Sequence, residues 1–328
     1  MTTYKGINGF AVQSLATDPS PSIEGQVWYN NATYAFKVTT ATTAGTWASG
    51  GALGTGRYLA GAAGTQTATS FFGGISGTAK TATELYNGTS WTTSPANMGT
   101  ARYQLGSAGT QTSALGFGGI NSGAVKNNTE SFNGTSWTAG GNLNTARLTL
   151  AGVGLQTAAL GFGGDTNVPA FPGAAESYNG TSWTTVSSMN TGRSGMGGFG
   201  TQTAAIGAGG APPPSSTTAT ESWNGTSWTT VPGTLNTARQ LAGAAGIQTL
   251  AVTFGGGEPP STKAATELWN GSTWSTNPNS LGTARSRLSG TGTQAAALAM
   301  GGYLPPTAAS TEAFTGPGSP VTKTITTS

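Results

Sequence analysis

The 328-residue chain has no cysteine and no histidine. The first absence excludes disulfides and thiol chemistry, and the two together remove the commonest ligands of zinc, copper and haem. Without histidine there is also no ordinary general base near neutral pH. Charge is scarce: acidic and basic residues make up 7% of the chain, against about 25% in a typical soluble domain. Thirteen Lys and Arg face ten Asp and Glu and do not cluster, so the basic footprint of a nucleic-acid binder is missing. No apolar run approaches the roughly 18 residues of a membrane span. The N-terminal stretch MTTYKGINGFAVQSLATDPSPSIEG lacks the continuous apolar core of a secretory signal, so synthesis in the cytoplasm is expected.

Glycine is plentiful at 54 residues, and nine Trp, eight Tyr and eleven Phe supply material for a packed core. Low charge with this aromatic content argues against disorder. The sequence YNGTSWTT at 178–185 has near-copies at 86–93, 132–139, 223–230 and 269–276. Asn-Gly-Thr matches a glycosylation sequon, yet Asn-Gly is also the preferred dipeptide of a two-residue type I′ hairpin turn. Trp follows at one offset in all five copies, so the turn is the reading adopted.

Aligned on this motif, the chain repeats every 45–46 residues, a period of solenoids and propellers. Each unit runs through Arg, a small-residue strand, a Gly-x-Gln turn, a strand ending in Gly-Gly, a variable loop, Glu, an aromatic, Asn-Gly and Trp. The arginines are Arg57, Arg102, Arg147, Arg193, Arg239 and Arg285; the glutamates are Glu84, Glu130, Glu176, Glu221, Glu267 and Glu312. Four short strands per unit and no helical periodicity predict an all-β, six-bladed propeller with four-stranded blades. The small first strand suits a crowded axis. Unit six lacks its Trp, while Trp47 stands ten residues before Arg57, so the strand 46–49 is expected to complete the last blade and close the ring.

The order Gly118-Gly119, Glu130, Phe132, Trp137, Arg147 resembles the kelch repeat, and the resemblance covers roughly 44–316. It departs from that pattern in its Asn-Gly turns and in a shorter aromatic-to-Trp step. Kelch-fold oxidases hold copper with Tyr, His and a Cys-modified Tyr, which this chain cannot do. The sialidase repeat is similar around Gly-x-Ser-Trp, but its Asp is replaced by Tyr86, Phe132, Tyr178, Trp223 and Trp269. Hydrolysis would need a close carboxylate pair. Six of the ten carboxylates belong to the repeat, and Asp18, Glu24, Asp165 and Glu258 are scattered. No enzyme, metal or cofactor is expected.

The Arg/Glu sets have two readings: a structural ring of ion pairs tying neighbouring blades, or an anion-binding mouth with Arg as clamp. Equal numbers of Glu favour the structural ring. Loops after Gly-Gly differ in every unit, carry Pro, and offer Phe171, Tyr303, Asp165, Lys126 and Lys263 as candidate binding residues on one face. Residues 1–43 lie outside the repeat, with a hairpin expected around Asn30-Asn31, and 317–328 form a tail.

PSIEGQVWYNNATYAFKV at 21–38 is similar to segments of tail-fibre and other virion proteins of tailed bacteriophages, and the YNGTSWT style resembles kelch-like proteins of marine phages. That resemblance implies a virion structural protein assembled in the host cytoplasm. Its N-terminal arm would dock on tail or capsid proteins while the propeller contacts host-surface glycan or protein. It implies no nucleic acid and no membrane insertion, and leaves a homo-oligomer open. Capsid decoration and, less favoured, a cellular kelch adaptor are the alternatives.

Overall fold

Alternation of small and apolar residues over four or five positions, broken by Gly-Gly, Asn-Gly and Pro, builds strands throughout. The computed structural model describes residues 4–5, 11–19, 26–41, 44–167, 171–212, 215–257, 261–305, 307–318 and 320–325. Glu24, Glu258 and parts of the Pro-rich loops lie outside them. Among the described residues there is no helix. The chain divides into two compact units, Trp47–Phe314 and Met1–Thr46 with Thr315–Ser328.

The larger unit is a repeated set of four-stranded antiparallel sheets, an arrangement consistent with a β-propeller. In the second sheet Gly106–Thr110, Ser113–Phe117, Thr129–Phe132 and Trp137–Ala139 pair in sequence order. The same order recurs within 61–93, 151–186, 197–231 and 243–277. A sixth sheet takes three strands from 289–315, and its fourth is Thr46–Ser49, where Trp47 was expected to complete the last repeat. First strands touch in sequence order, and that of the sixth sheet touches that of the first.

Sheets are joined through their second-strand aromatics. Phe72, Phe117 and Phe162 each meet the Trp of the next sheet, with centroids 4.7–4.9 Å apart. Each of these Phe side chains is fully buried, worth about 1.5–3 kcal/mol. On the first strands small residues answer crowding between neighbouring sheets, a Cβ on Gly152 meeting the Ser107 carbonyl at 2.5 Å, and on the second strands they make room for the rings. A Cβ on Gly116 would come within 2.9 Å of the Phe72 ring, and one on Gly161 equally near Phe117. The first sheet carries Phe71 at the position of Gly116, and the sixth carries Met300 where four of the others end in Phe, so the exchange at that junction is complementary. In the fourth sheet the strand ends in Ala208, and Phe199 on the first strand packs on Trp274 instead.

The Asn-Gly motif is a corrected expectation. Phe132 pairs directly with Trp137, which leaves a four-residue loop, not a two-residue turn. Asn133 closes it: its Oδ1 accepts the Thr135 and Ser136 amides at 3.0 and 2.8 Å, and Gly134 takes φ +93°. The side chain thus mimics a backbone acceptor, which is the common use of Asn in turns.

In the smaller unit Val27–Asn30 and Ala35–Ala41 form the hairpin, extended by Ala11–Leu15 and Tyr4–Lys5 on one side. Pro320–Thr324 pairs antiparallel with Ala35–Ala41 on the other, so residues from the tail form an edge strand. Trp28 is buried, and its indole N–H donates to Asp18.

Candidate functional site

Six Arg–Glu pairs are present at 2.6–3.2 Å, and all twelve side chains are buried. Each pair lies within one repeat. Arg147 donates to the carbonyls of Gly163 and Ala174 and to Glu176 Oε1 at 2.8 Å. Glu176 Oε2 accepts the amide of Asn144, in the connector arriving from the second sheet, and the Arg147 carbonyl accepts the Gly119 amide of that sheet. The ion pair therefore reaches the neighbouring sheet through backbone rather than side chain. Burial pushes each guanidinium below its ordinary pKa, and the paired carboxylate pulls it back. None of the six lines either of the two cavities described below.

Two other residue types bridge the sheets. Gln156 Nε2 donates to Ala114 O and Phe132 O of the second sheet at 2.9 and 2.7 Å. Gln111, Gln202, Gln248 and Gln294 repeat this, and Gln66 makes the same pair of bonds to Ala297 and Phe314 of the sixth sheet. The tryptophans act in parallel. Trp137, Trp183 and Trp274 donate to Thr83, Thr129 and Thr220 of the preceding sheet, Trp91 to Thr311 and Trp47 to Thr266. In the third sheet this Thr is Ala175, and the buried Trp228 indole N–H has no partner. The glutamine bridge was missed in sequence because a Gln after Gly reads as a turn residue.

The residue two places after each repeat Arg completes another series. Leu59, Gln104, Thr149, Leu241 and Arg287 have φ +50 to +58°, and Gly195 has φ +63°. Their amides and carbonyls bond head to tail: Gln104 to Leu59, Thr149 to Gln104, Gly195 to Thr149, Leu241 to Gly195, Arg287 to Leu241, and Leu59 back to Arg287, at 2.7–2.9 Å. A left-handed conformation costs a non-glycine residue about 1–3 kcal/mol, and for a β-branched residue such as Thr149 it is an outlier.

These six residues line a cavity of about 180 Å³ together with Ser107, Met196, Ser289 and other small residues of the first strands. Arg287 is the one charged side chain among the described lining residues. Its guanidinium lies 5.3 Å from the Tyr303 ring centroid and 5.8 Å from that of Tyr58, and the two rings meet edge to face at 5.2 Å. A second cavity, about 130 Å³, is lined by Ala, Gly, Val, Ser, Thr and Phe alone.

The variable loops are rooted around the first cavity. Tyr58 bridges to Ile75, Tyr103 to Ile120, Leu148 to Asp165, Ser194 to Ala211 and Ser286 to Tyr303. Of the sequence candidates, Tyr303 joins this cluster. Asp165 sits at a loop root, where its Oδ1 accepts the Asn167 amide at 2.7 Å. Lys126 and Lys263 hold equivalent roots, bonded by backbone to Gly119 and Gly256, and Lys80 is a third such lysine. Phe171 is half-buried in the described part of its loop. None of Asp165, Lys126, Lys263 or Phe171 lines the cavity. Arg287 was overlooked because ARSR at 284–287 places it beside the repeat Arg285; the variation at its position was the available signal.

No family model matches the chain, and no curated protein matches it in sequence. Among the described residues no three His, Cys, Asp or Glu side chains group as metal ligands.

Proposed function

We propose that the larger unit is a closed six-bladed kelch-like propeller acting as a non-catalytic recognition module of a bacteriophage particle, as a tail fibre or tail appendage. It meets host-surface glycan or protein with its variable-loop end. One observation carries the reading: a buried Arg–Glu pair and Gln bridge recur six times, while the residues ringing one cavity and the loops rooted beside it differ from repeat to repeat. A scaffold that repeats with variation confined to one end is how loop-borne recognition is built. The smaller unit supplies the docking surface in this reading, with Val27, Phe36 and Ile325 apolar and exposed. The resemblance of 21–38 to virion segments supports the particle context.

Immunogold labelling of intact particles with antibody against the larger unit tests this. Gold at the tail tip or its appendages is the expected result. Gold over the head would replace the reading with capsid decoration, and the absence of gold on particles would remove the virion role.

A further inference from the structure

We infer that Lys80 and Lys126, with Lys263, form a cationic docking surface for an acidic polysaccharide at the variable-loop end of the larger unit. This rests on the reading of that end as the recognition surface and names the ligand class it takes.

Position is the first support. Scattered in sequence, these are the three lysines of 47–314, and the repeat brings all three to one equivalent place. Each amide donates to a glycine of the Gly-Gly turn before it, Lys80 to Gly74, Lys126 to Gly119 and Lys263 to Gly256, at 2.8–2.9 Å. Each carbonyl accepts the amide of the next repeat arginine, Arg102, Arg147 or Arg285, at 3.1–3.3 Å. Lysine is not needed for this pinning. Thr217 and Ala308 make the same amide bond, to Gly210 and Gly302, at 2.9 and 3.0 Å. Ahead of the three lysines the loops read ISGTA, INSGAV and GEPPST, with little in common, yet the lysine recurs.

Order is the second support. In the first two repeats the loop folds into a short hairpin, Ile75–Ser76 with Thr78–Ala79 and Ile120–Asn121 with Ala124–Val125, and the lysine follows directly. Both side chains start from fixed backbone, which lowers the entropy lost on binding.

Charge supplies the ligand class. Outside the six buried ion pairs, the charged residues of 47–314 are Lys80, Lys126, Lys263, Arg287, Asp165 and Glu258, all in or beside the variable loops. The Gly-x-Gln turns and Asn-Gly loops at the opposite strand ends carry none. The first two loops hold a lysine and no carboxylate, whereas Asp165 and Glu258 belong to the third and fifth. A lysine ammonium is a compact point charge rather than a planar fork. Such charges one repeat apart suit single anionic groups spaced along a polymer, and the Ser, Thr and Asn side chains of these loops suit sugar hydroxyls. Nucleic acid, with a phosphate at every step, calls for a denser basic face.

The test titrates the purified full-length chain with polygalacturonate, dextran sulfate, uncharged dextran and duplex DNA, read by calorimetry. At least one acidic polysaccharide binds, more tightly than DNA does; dextran does not bind, and affinity falls as salt is raised. Lys80→Thr combined with Lys126→Thr installs the residue found at 217. It weakens binding by about tenfold and leaves the urea midpoint unchanged. Lys263→Thr weakens binding less, because Glu258 shares its loop, and Lys323→Gln in the smaller unit has no effect. Lys80→Arg with Lys126→Arg keeps most of the affinity. Absence of binding by both acidic polymers, equal binding of dextran or DNA, unchanged affinity in the double Thr variant, or an equal loss in Lys323→Gln overturns the surface. Should the double Thr variant not fold, the same readings on Lys80→Gln with Lys126→Gln decide it. Because this assay uses no particle, loss of the virion reading leaves the result standing, and loss of binding leaves particle location undecided by it.

Discussion

The framework of each sheet and the ring at the cavity obey opposite rules. Arg147 and Glu176, with their five counterparts, are buried, ion-paired and the same in every repeat. The ring from Leu59 to Arg287 is equally regular in backbone but changes its side chain at nearly every step. Repetition thus marks what holds the sheets together. The same contrast operates within the framework. Where one residue changes, a neighbour either compensates, as Phe199 does for Ala208, or leaves a defect, as Ala175 does beneath Trp228.

Breaking the framework should have the largest effect. Arg147→Met leaves Glu176 buried without its partner, and a loss of about 3–5 kcal/mol is expected in urea unfolding. Arg287→Met at the ring should change stability far less. Next in size are the glutamine bridges. Gln111→Ala uncouples two buried carbonyls at a cost of about 1–3 kcal/mol. Gln66→Ala should cost the same, because it makes the equivalent bonds between the first and last sheets; a silent Gln66 variant would mean that this junction is not like the other five. Repairing the defect should help: Ala175→Thr gives the Trp228 indole the acceptor found in the other sheets, for a gain of about 1 kcal/mol.

The smallest effect belongs to the smaller unit. Hydrogen bonds from Lys37 and Asn30 hold the Asp18 carboxyl below its ordinary pKa. Its contribution is therefore present above the unfolded pKa near 3.8 and lost as pH falls through the lower folded value. Asp18→Asn should lower the neutral-pH midpoint slightly and flatten the acid limb, so that the two unfolding profiles converge at low pH.

Strand order was legible because each strand is short, local and punctuated by residues with one backbone purpose. Gly118 and Gly119 end a strand at φ +65 and +94°, where a Cβ on Gly118 would strike the Arg147 carbonyl at 2.6 Å. Trp47 was legible by subtraction, since one unit lacked a Trp and one Trp lacked a unit. The Asn-Gly loop was misread because the dipeptide specifies a positive-φ glycine but not loop length, which Asn133 sets through its side chain. Pro320–Thr324 escaped notice because pairing with Ala35–Ala41 spans almost the whole chain and leaves no local pattern. The candidate site was half legible. The variable loops led to Tyr303, which lies beside Arg287, but Arg287 itself enters through a left-handed backbone that no composition rule announces.

The account stands or falls on the six amides of Leu59, Gln104, Thr149, Gly195, Leu241 and Arg287 forming one closed circuit. Native-state hydrogen exchange measures this directly. All six should show protection of similar size, with Leu59, the residue that returns the circuit to Arg287, no weaker than the rest. Fast, loop-like exchange at Leu59 beside slow exchange at the other five would contradict it.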